Sequence, residues 1–334
     1  MEDKILLAHG SGGKLSHDLV KQNFLPLFDN AFLNKLDDSA VFELKGRLAF
    51  TTDSYVVNPI FFPGGDIGKL AVCGTVNDLS MMGAVPKYLS IGLIIEEGLL
   101  MSELRRVMDS IKKAAQEAGV KIVTGDTKVV NKGCADRLFI NSSGVGVIPQ
   151  GVDISGSNAK PGDRVILSGS IGDHGIAVIS QREGLQFSSS VKSDCAPLNK
   201  LVAEMLASGA EIHCMRDPTR GGLASALNEF ASSSNVGIRI EETSLPVHEG
   251  VQAACEMLGF DPLYVANEGK LVAVVAARWA KKLIDIMHKN KYGKEAAIIG
   301  EVVPEHLGRV VMKTRMGASR IVDMMVGEQL PRIC

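Results

Sequence analysis

Hydrophobic and polar positions along the first half of the chain predict strands and helices in turn. Apolar residues dominate residues 48–52 and 88–95, which is typical of strands. From residue 101 to residue 119 the apolar positions recur at helical spacing, with Ser102 as a candidate N-cap and a glycine as the stop. A strand rich in Gly and Ser is predicted at residues 139–148.

The pattern restarts after a polar break at residues 149–163, where we place a boundary between two domains. Both halves are mixed α/β. We expect an N-terminal domain over residues 1–150, a C-terminal domain over 151–323 and a flexible tail over 324–334. Strands in the second half are predicted at residues 164–168, 271–276 and 297–303, and helices at 197–207, 222–232 and 279–289.

Charge and cysteine usage limit the compartment and the partners. A net charge of −2, without basic runs, argues against a nucleic-acid-binding surface. No apolar run is long enough to span a bilayer, and the N-terminus lacks the regions of a signal peptide. The 6 cysteines are scattered and typical of reduced thiols. We therefore expect a cytoplasmic protein that contacts neither nucleic acid nor membrane.

The chain ends at a cysteine, Cys334, and the preceding Gly327 and Pro331 predict an extended tail. A terminal thiol is a poor core residue and a poor disulfide partner, but it suits a mobile carrier. A prenylation motif is excluded because its cysteine lies three residues before the end. The tail alone favours a chance cysteine on a frayed end, and only the acidic residues of the body favour a carrier.

Aspartates recur where we predict that apolar strands end. Mg²⁺ prefers hard oxygen ligands and keeps some of its waters, so a few convergent carboxylates together with phosphate oxygens suit it. Each aspartate alone is more simply a turn or cap residue. Four such sites in one predicted domain favour a metal–nucleotide site; they contain Asp37 with Asp38, Asp53, Asp78 and Asp126.

A glycine-rich loop, Gly10-Ser11-Gly12-Gly13-Lys14, follows a short apolar stretch. It is not a P-loop, because Ala8 occupies the first glycine position and Leu15 replaces the Ser/Thr after the lysine. The backbone N–H groups of the loop are candidates to close over phosphates, and a flexible N-terminus is the alternative interpretation.

Three further turns lie before predicted helices or strands, at residues 216–223, 172–175 and 267–270. In the first of them, Asp217 or Thr219 is a candidate cap for the following helix. As isolated features these are ordinary turns. His174, in the second turn, is by itself more typical of a hydrogen-bonded histidine than of a catalyst.

Taken together, these motifs resemble the HypE family of hydrogenase maturation proteins over essentially the whole chain, without a departure from its pattern. The C-terminal motif is the most specific, because the aspartate motifs are shared with the wider PurM-like superfamily of aminoimidazole ribonucleotide synthetase, selenophosphate synthetase and thiamine monophosphate kinase. The matching segments are Gly10-Ser11-Gly12-Gly13, Asp37-Asp38-Ser39-Ala40, Thr51-Thr52-Asp53-Ser54, Asn77-Asp78-Leu79-Ser80-Met81-Met82-Gly83-Ala84, Thr124-Gly125-Asp126-Thr127-Lys128-Val129-Val130, Gly172-Asp173-His174-Gly175, Arg216-Asp217-Pro218-Thr219-Arg220-Gly221-Gly222, Asn267-Glu268-Gly269 and Pro331-Arg332-Ile333-Cys334.

The resemblance implies a two-domain PurM-like α/β fold. Its N-terminal domain dimerises through its sheet, and its C-terminal domain covers the nucleotide. It also implies an ATP-dependent carbamoyl dehydratase: the carbamoyltransferase HypF carbamoylates Cys334, and dehydration converts the thiocarboxamide to a thiocyanate. The cyanide then passes to a HypC–HypD complex and becomes a ligand of the iron of [NiFe]-hydrogenase.

The resemblance further assigns roles to single residues, with ATP and Mg²⁺ as the cofactors. Asp38, Asp53, Asp78, Asp126 and Asp217 are the implied metal–phosphate group, with Asp37 as a weaker member. Glu268 and Lys128 are our candidates for the acid–base work on the amide nitrogen, and which of them is the base stays open. Nucleotide contacts are also expected from Gly10, Ser11, Gly12, Gly13, Thr52, Asn77 and Thr127.

Two alternatives remain at this point. One is another phosphoryl-transfer enzyme of the same superfamily, although a selenophosphate synthetase would be expected to carry cysteine or selenocysteine in its glycine loop. The other is a non-catalytic carrier or scaffold that docks through its tail. The aspartates argue against a scaffold, since a scaffold has no need of a magnesium–ATP site.

Overall fold

The chain is described here by a computed structural model that covers residues 4–11, 13–36, 39–185, 191–325, 327 and 333–334. Two mixed sheets, each backed by helices, dominate these residues, as the α/β prediction required. None of the helices within the described part of the chain is long and apolar enough to cross a membrane.

The first sheet has four strands in the order β1-β6-β4-β5. Strands β4 and β5 are parallel, and the other two pairings are antiparallel. The long helices α3 and α4 cover one face of this sheet and pack against each other. The strands are β1 (Arg47–Tyr55), β4 (Val85–Glu96), β5 (Lys121–Val130) and β6 (Leu138–Ile148); the short pair β2 (Phe61–Phe62) and β3 (Gly65–Asp66) leads into α3 (Ile67–Met81), and α4 is Met101–Ala118.

The second sheet has seven strands in the order β13-β12-β9-β11-β7-β10-β8, and only β12 and β9 are parallel neighbours. The strands are β7 (Arg164–Leu167), β8 (Ile212–Arg216), β9 (Gly237–Glu241), β10 (Val272–Val275), β11 (Ala297–Val303), β12 (Val310–Lys313) and β13 (Ser319–Val322). The helices are α5 (Asp173–Glu183), α6 (Asn199–Ala207), α7 (Gly222–Ser234), α8 (Glu249–Leu258) and α9 (Ala277–Met287). Two short helices, α1 (Lys14–Leu19) and α2 (Leu25–Phe28), precede the first sheet.

Strand β10 explains why the second sheet is buried on both faces. Val272 and Val274 pack into one hydrophobic cluster with α7, whereas Ala273 and Val275 pack into another with α6 and α9. Because side chains alternate across a strand, an unbroken apolar run is what a doubly covered strand requires.

The periodicity located the long elements correctly but misplaced several polar residues. Helix α4 begins at Met101, whose side chain is buried, so Ser102 lies inside the first turn and Leu100 is the N-cap. Helix α7 follows Gly221, which has a φ of +74°, and neither Asp217 nor Thr219 caps it. Packing and backbone conformation thus outweighed the capping preference.

The prediction that aspartates stand at strand ends was also wrong for three of them. Asp53 lies inside β1 and Asp126 inside β5, because both strands continue their hydrogen-bonded ladders past these residues. Asp78 lies in the last turn of α3, since apolar residues at helical spacing bury that segment. These three aspartates therefore lie on a helix and on two strands.

Asp66 offers a test of how α3 is held, because its side chain accepts hydrogen bonds from the N–H groups of Gly68 and Lys69 and another from Ser110. We expect Asp66→Ala to lower the free energy of unfolding by about 0.5–2 kcal/mol, the usual cost of losing an N-cap. Chemical denaturation measures this, with the exposed Asp109→Ala as the matched control. Equal stability of the two variants would contradict the capping role.

Candidate active site at the junction of the two domains

Glu268 lies in the loop that enters β10, and only 2% of its surface is exposed. Asp194 accepts hydrogen bonds from the N–H groups of both Glu268 (3.1 Å) and Gly269 (3.2 Å). A Cβ on Gly269 would lie 1.9 Å from the carbonyl oxygen of Asp194, so only glycine permits this approach. The backbone of the loop at Glu268 and Gly269 is therefore held by the Asp194 carboxylate, which comes from a second segment of the chain.

Two buried asparagines complete the support of this loop. Asn267 accepts from the N–H of Gly172 (2.8 Å) and donates to the carbonyl of Pro218 (2.9 Å). Asn77, on α3 of the first domain, donates to the carbonyls of Ala196 and Glu268 and accepts from the N–H of Leu198. Both polar ends of the Asn77 side chain are thereby engaged by the second domain.

Asp53, Asp78 and Asp217 face the same junction and interact electrostatically. Burial, followed by the charge of Asp78, raises the pKa of Asp217 to about 7. The pKa of Asp78 is also raised, chiefly by burial, although Thr51 donates a hydrogen bond to it at 2.9 Å. Arg220 lies 3.7 Å from Asp53 and supplies part of the missing positive charge.

The terminal residue Cys334 lies against this group. Burial, followed by the charge of the neighbouring Glu268 carboxyl group, raises the pKa of the Cys334 thiol well above its usual value. Burial and the surrounding acidic groups likewise raise the pKa of Glu268. A protonated thiol and a buried carboxyl group therefore meet at the domain junction.

Four other predicted residues, Gly10, Asp126, Thr127 and Lys128, line a separate cavity of about 310 Å³ in the first domain. Gly10 closes it on one side, since a Cβ there would lie 2.3 Å from the nitrogen of Val129. Asp126 and Lys128 form an exposed ion pair of 2.8 Å at its mouth, next to Thr127, and this pairing lowers the pKa of Asp126.

Within one chain the two groups do not meet. Strand β1 carries Asp53 and β5 carries Asp126, and these are the two edges of the four-stranded sheet. Three strand spacings of about 4.8 Å place them roughly 14 Å apart. The predicted acid–base residues Glu268 and Lys128 consequently belong to different groups in a single chain.

Some predicted residues lie elsewhere or outside the described part of the chain. Thr52 points to the opposite side of β1 from Asp53, where it accepts hydrogen bonds from Asn141 and Ser143. Ser11 is exposed and donates to the carbonyl of Ala8, and Gly13 precedes α1. Gly12, Asp37 and Asp38 lie outside the described residues.

A metal ion would need ligands beyond the described side chains. No three His, Cys, Asp or Glu side chains among the described residues are close enough to hold a cation together. Burial, together with neighbouring carboxylates, nevertheless raises the pKa values of Asp78 and Asp217, and nearby arginines offset this only in part. That chemistry fits a cation whose other ligands come from a substrate phosphate.

Sequence reasoning missed three residues of the junction. Asp194 has no motif that signals its role, because it acts through backbone groups distant in sequence. Arg220 and His174 stood in recognised turns, but their partners, Asp53 and the carbonyl of Ile333, come from other parts of the fold. The glycines beside them were the only available signal.

Comparison with known proteins identifies the class and then the family. The N-terminal domain of AIR synthase related proteins matches residues 36–148, and the C-terminal domain of the same class matches residues 160–313. The fold and its junction are thus those of an AIR synthase related protein.

Relatives of high sequence identity show which family within this class the chain belongs to. Carbamoyl dehydratase HypE of Azotobacter vinelandii is 53% identical over 329 residues, which cover 98% of this chain and 96% of the relative. A crystal structure of hydrogenase maturation protein HypE in complex with ATP is 51% identical, with a TM-score of 0.96 over 98% of this chain and 99% of that one. The chain belongs to the HypE family.

A third similar structure is that of a HypE–HypF complex. It is 52% identical to this chain, with a TM-score of 0.82, and the match covers 92% of this chain and 99% of the other.

The raised pKa of Asp217 makes a prediction about stability. Between the ordinary pKa of 3.8 and about 7, the folded chain keeps a proton that the unfolded chain releases, so this group's contribution to stability falls as pH rises through that window. We expect Asp217→Asn to raise the melting temperature at pH 8 and to have little effect near pH 4. Calorimetry from pH 4 to pH 8 measures this, with Asp109→Asn as the control. A difference that does not vary with pH would be inconsistent with a strained carboxylate.

Proposed function

We propose that this chain is an ATP-dependent carbamoyl dehydratase that acts on its own C-terminus. The substrate is a carbamoyl group on the sulfur of Cys334, and the product is a thiocyanate at the same position. The observation that carries this proposal is the position of the C-terminus: Ile333 is 3% exposed, and the charge of the buried Glu268 carboxyl group acts on the neighbouring Cys334 thiol. A chance cysteine on a frayed end would not be held beside a buried acid.

The reaction needs the amide oxygen to leave as phosphate. The oxygen attacks the γ-phosphorus of ATP, the bond to ADP breaks, and the carbon–oxygen bond of the resulting imidate then breaks to release phosphate. Two protons leave the nitrogen, so the net change is thiocarboxamide plus ATP to thiocyanate, ADP and phosphate, with one proton released. Little covalent chemistry falls to the protein, which must position the groups, neutralise charge and exclude water.

Glu268 is our candidate base for these protons. The Glu268 carboxyl group lies beside the unmodified thiol, so a carbamoyl N–H would be placed next to it once the sulfur is substituted. Burial raises the pKa of Glu268, which makes its ionised form a stronger base at neutral pH.

ATP and Mg²⁺ are the proposed cofactors. We infer that the cavity beside Gly10 and Asp126 accepts the nucleotide, supported by its volume and by the ATP in the similar HypE structure. When bound, Mg²⁺ would neutralise phosphate charge. Asp53, Asp78 and Asp217 are the described residues suited to it, and Asp38 remains a predicted ligand.

A homodimer is proposed from the outer face of the first sheet. Phe50 is 73% exposed and Leu48 is 51% exposed. Across the strand pair they lie opposite Val145 and Val147, so the face is apolar as well as uncovered. A second copy of this face would bury it and would also bring the cavity residues of each copy nearer to its partner.

Partners for the two ends of the reaction are proposed as well. The similar HypE–HypF structure supports a carbamoyltransferase of the HypF type as the donor of the carbamoyl group. A HypC–HypD complex as the acceptor of cyanide, and the cytoplasm as the compartment, remain predictions. A chain extended from Asp323 to Cys334 would reach about 35 Å at about 3.3 Å per residue, enough for a tail to serve a donor outside and the nucleotide inside.

The test of the reaction is mass spectrometry of the C-terminal peptide after incubation with the carbamoyltransferase, carbamoyl phosphate and ATP. The wild type should gain a carbamoyl group and then lose the mass of one water. Glu268→Gln should stop at the carbamoyl stage, since a general base commonly contributes about 10²–10⁴-fold in rate. Cys334→Ser should bind ATP and carry no thiocarboxamide.

Matched variants make this result specific. Glu305→Gln, at an exposed position, and Cys134→Ser, at an exposed thiol, should both complete the reaction. A carbamoyl group found on an internal cysteine and not on Cys334, or a Glu268→Gln variant that dehydrates at the wild-type rate, would refute the proposed roles.

The dimer is tested by Phe50→Asp, which places a charge in the centre of the apolar face. We expect the sedimentation coefficient at micromolar concentration to fall from a dimer value to a monomer value, because burying an unpaired carboxylate is costly. Met316→Asp is the control, since Met316 is 94% exposed in the turn between β12 and β13. A dimer of equal strength in both variants would place the interface elsewhere.

A further inference from the structure

His174 lies in the first turn of α5, is fully buried and has a hydrogen-bond partner on each ring nitrogen. Its Nδ1 is 2.8 Å from the hydroxyl of Ser193, and its Nε2 is 2.9 Å from the carbonyl oxygen of Ile333. Ile333 is the residue before Cys334 and is itself 3% exposed. The catalytic chemistry proposed above does not use this histidine.

The two partners define the tautomer. A carbonyl oxygen only accepts, so Nε2 carries the hydrogen and donates it to Ile333, while Nδ1 accepts from the Ser193 hydroxyl. The Ser193 oxygen in turn accepts from the N–H of Cys195 at 3.1 Å. Burial lowers the pKa of His174, so the ring is neutral at physiological pH. Every hydrogen bond from Cys195 to Ile333 therefore has a defined direction.

The bond acts on the residue that bears the reactive sulfur. The Ile333 carbonyl belongs to the peptide unit that also contains the nitrogen of Cys334, and this unit is planar. Fixing that oxygen limits where the Cys334 side chain can point. Its thiol then meets the Glu268 carboxyl group, as described above.

We propose that His174 is a positioning residue that latches the last peptide of the tail into the site through its Nε2–H bond to Ile333. The docking role is inferred from this contact and does not depend on the proposed function. The expected effect on turnover does rest on the proposed function. Packing is the competing role, since the edge of the His174 ring meets Phe62 at a centroid distance of 5.3 Å.

Two amide substitutions separate the latch from packing. In His174→Gln the side-chain amide reaches the position of Nε2 and can still donate to Ile333. In His174→Asn the amide reaches only the position of Nδ1, so it keeps Ser193 and loses the tail. His174→Leu fills the space without a donor.

The readout is the rate at which iodoacetamide alkylates Cys334 in the full chain, without nucleotide or carbamoyl donor. The exposed Cys134 is first replaced by serine. We expect a rate near the wild type for His174→Gln and a rate about fivefold higher for His174→Asn and His174→Leu, the effect of losing one hydrogen bond. Melting temperatures are measured in parallel. Equal alkylation rates in the folded Gln and Asn variants would overturn the proposed latch. The comparison of these two variants remains a valid test even if the Leu variant does not fold.

Turnover gives a second, independent reading. Loss of the latch should leave carbamoylation by the partner enzyme unimpaired or faster, and should slow dehydration of the pre-carbamoylated chain. A folding defect would slow both steps, which would count against the latch. If the wild type itself fails to dehydrate its carbamoyl group, the proposed function fails, while the alkylation rates still test the latch.

Discussion

The structure depends on the hydrogen bonds of Asn77, a buried side chain of the first domain that is engaged by backbone groups of the second. Its amide bonds to the carbonyl of Glu268 and to the segment at Ala196 and Leu198. Leaving a buried amide without partners costs about 1–3 kcal/mol, so the two domains are held in the arrangement that satisfies it. The position of Glu268 is thus set by contacts between domains as well as by its own loop.

This arrangement concentrates negative charge. Asp53, Asp78, Asp217 and Glu268 share a junction in which Arg216 and Arg220 are the basic groups that act on them. Burial and mutual repulsion both oppose ionisation of these carboxyl groups. The junction is therefore suited to a ligand that brings positive charge with it.

The sequence predicted the long elements well, because helices such as α4 and strands such as β4 carry strong periodic patterns. The sequence did not predict contacts between residues that are far apart along the chain. Asp194 supports Glu268 and Gly269 across more than seventy positions, and no local pattern encodes that contact. Motif resemblance pointed to Glu268 and Cys334, and the contact between them, described above, emerged only from the three-dimensional arrangement.

Lys128 is a second case in which the sequence did not predict which residues lie together. Motif reasoning grouped it with Glu268, whereas the fold of one chain pairs it with Asp126 at the far edge of the first sheet. A sequence motif indicates that residues share a function. It does not indicate whether they come from the same copy of the chain or from two copies. The exposed apolar sheet face in the same domain is the surface through which the proposed homodimer would bring the two groups together.

The energetics of the docked terminus fit a carrier. Burying the Ile333 side chain contributes about 1.5–3 kcal/mol, and ordering each terminal residue costs about 1–2 kcal/mol of backbone entropy. These terms nearly cancel, so a single hydrogen bond of about 1 kcal/mol changes the ratio of docked to released tail about fivefold. A tail held much more tightly would not reach a donor enzyme, and one held less tightly would seldom present its sulfur to Glu268. For the two described terminal residues, Ile333 and Cys334, the hydrophobic gain and the entropic cost are similar, so the directional contact from His174 is the adjustable part of this balance.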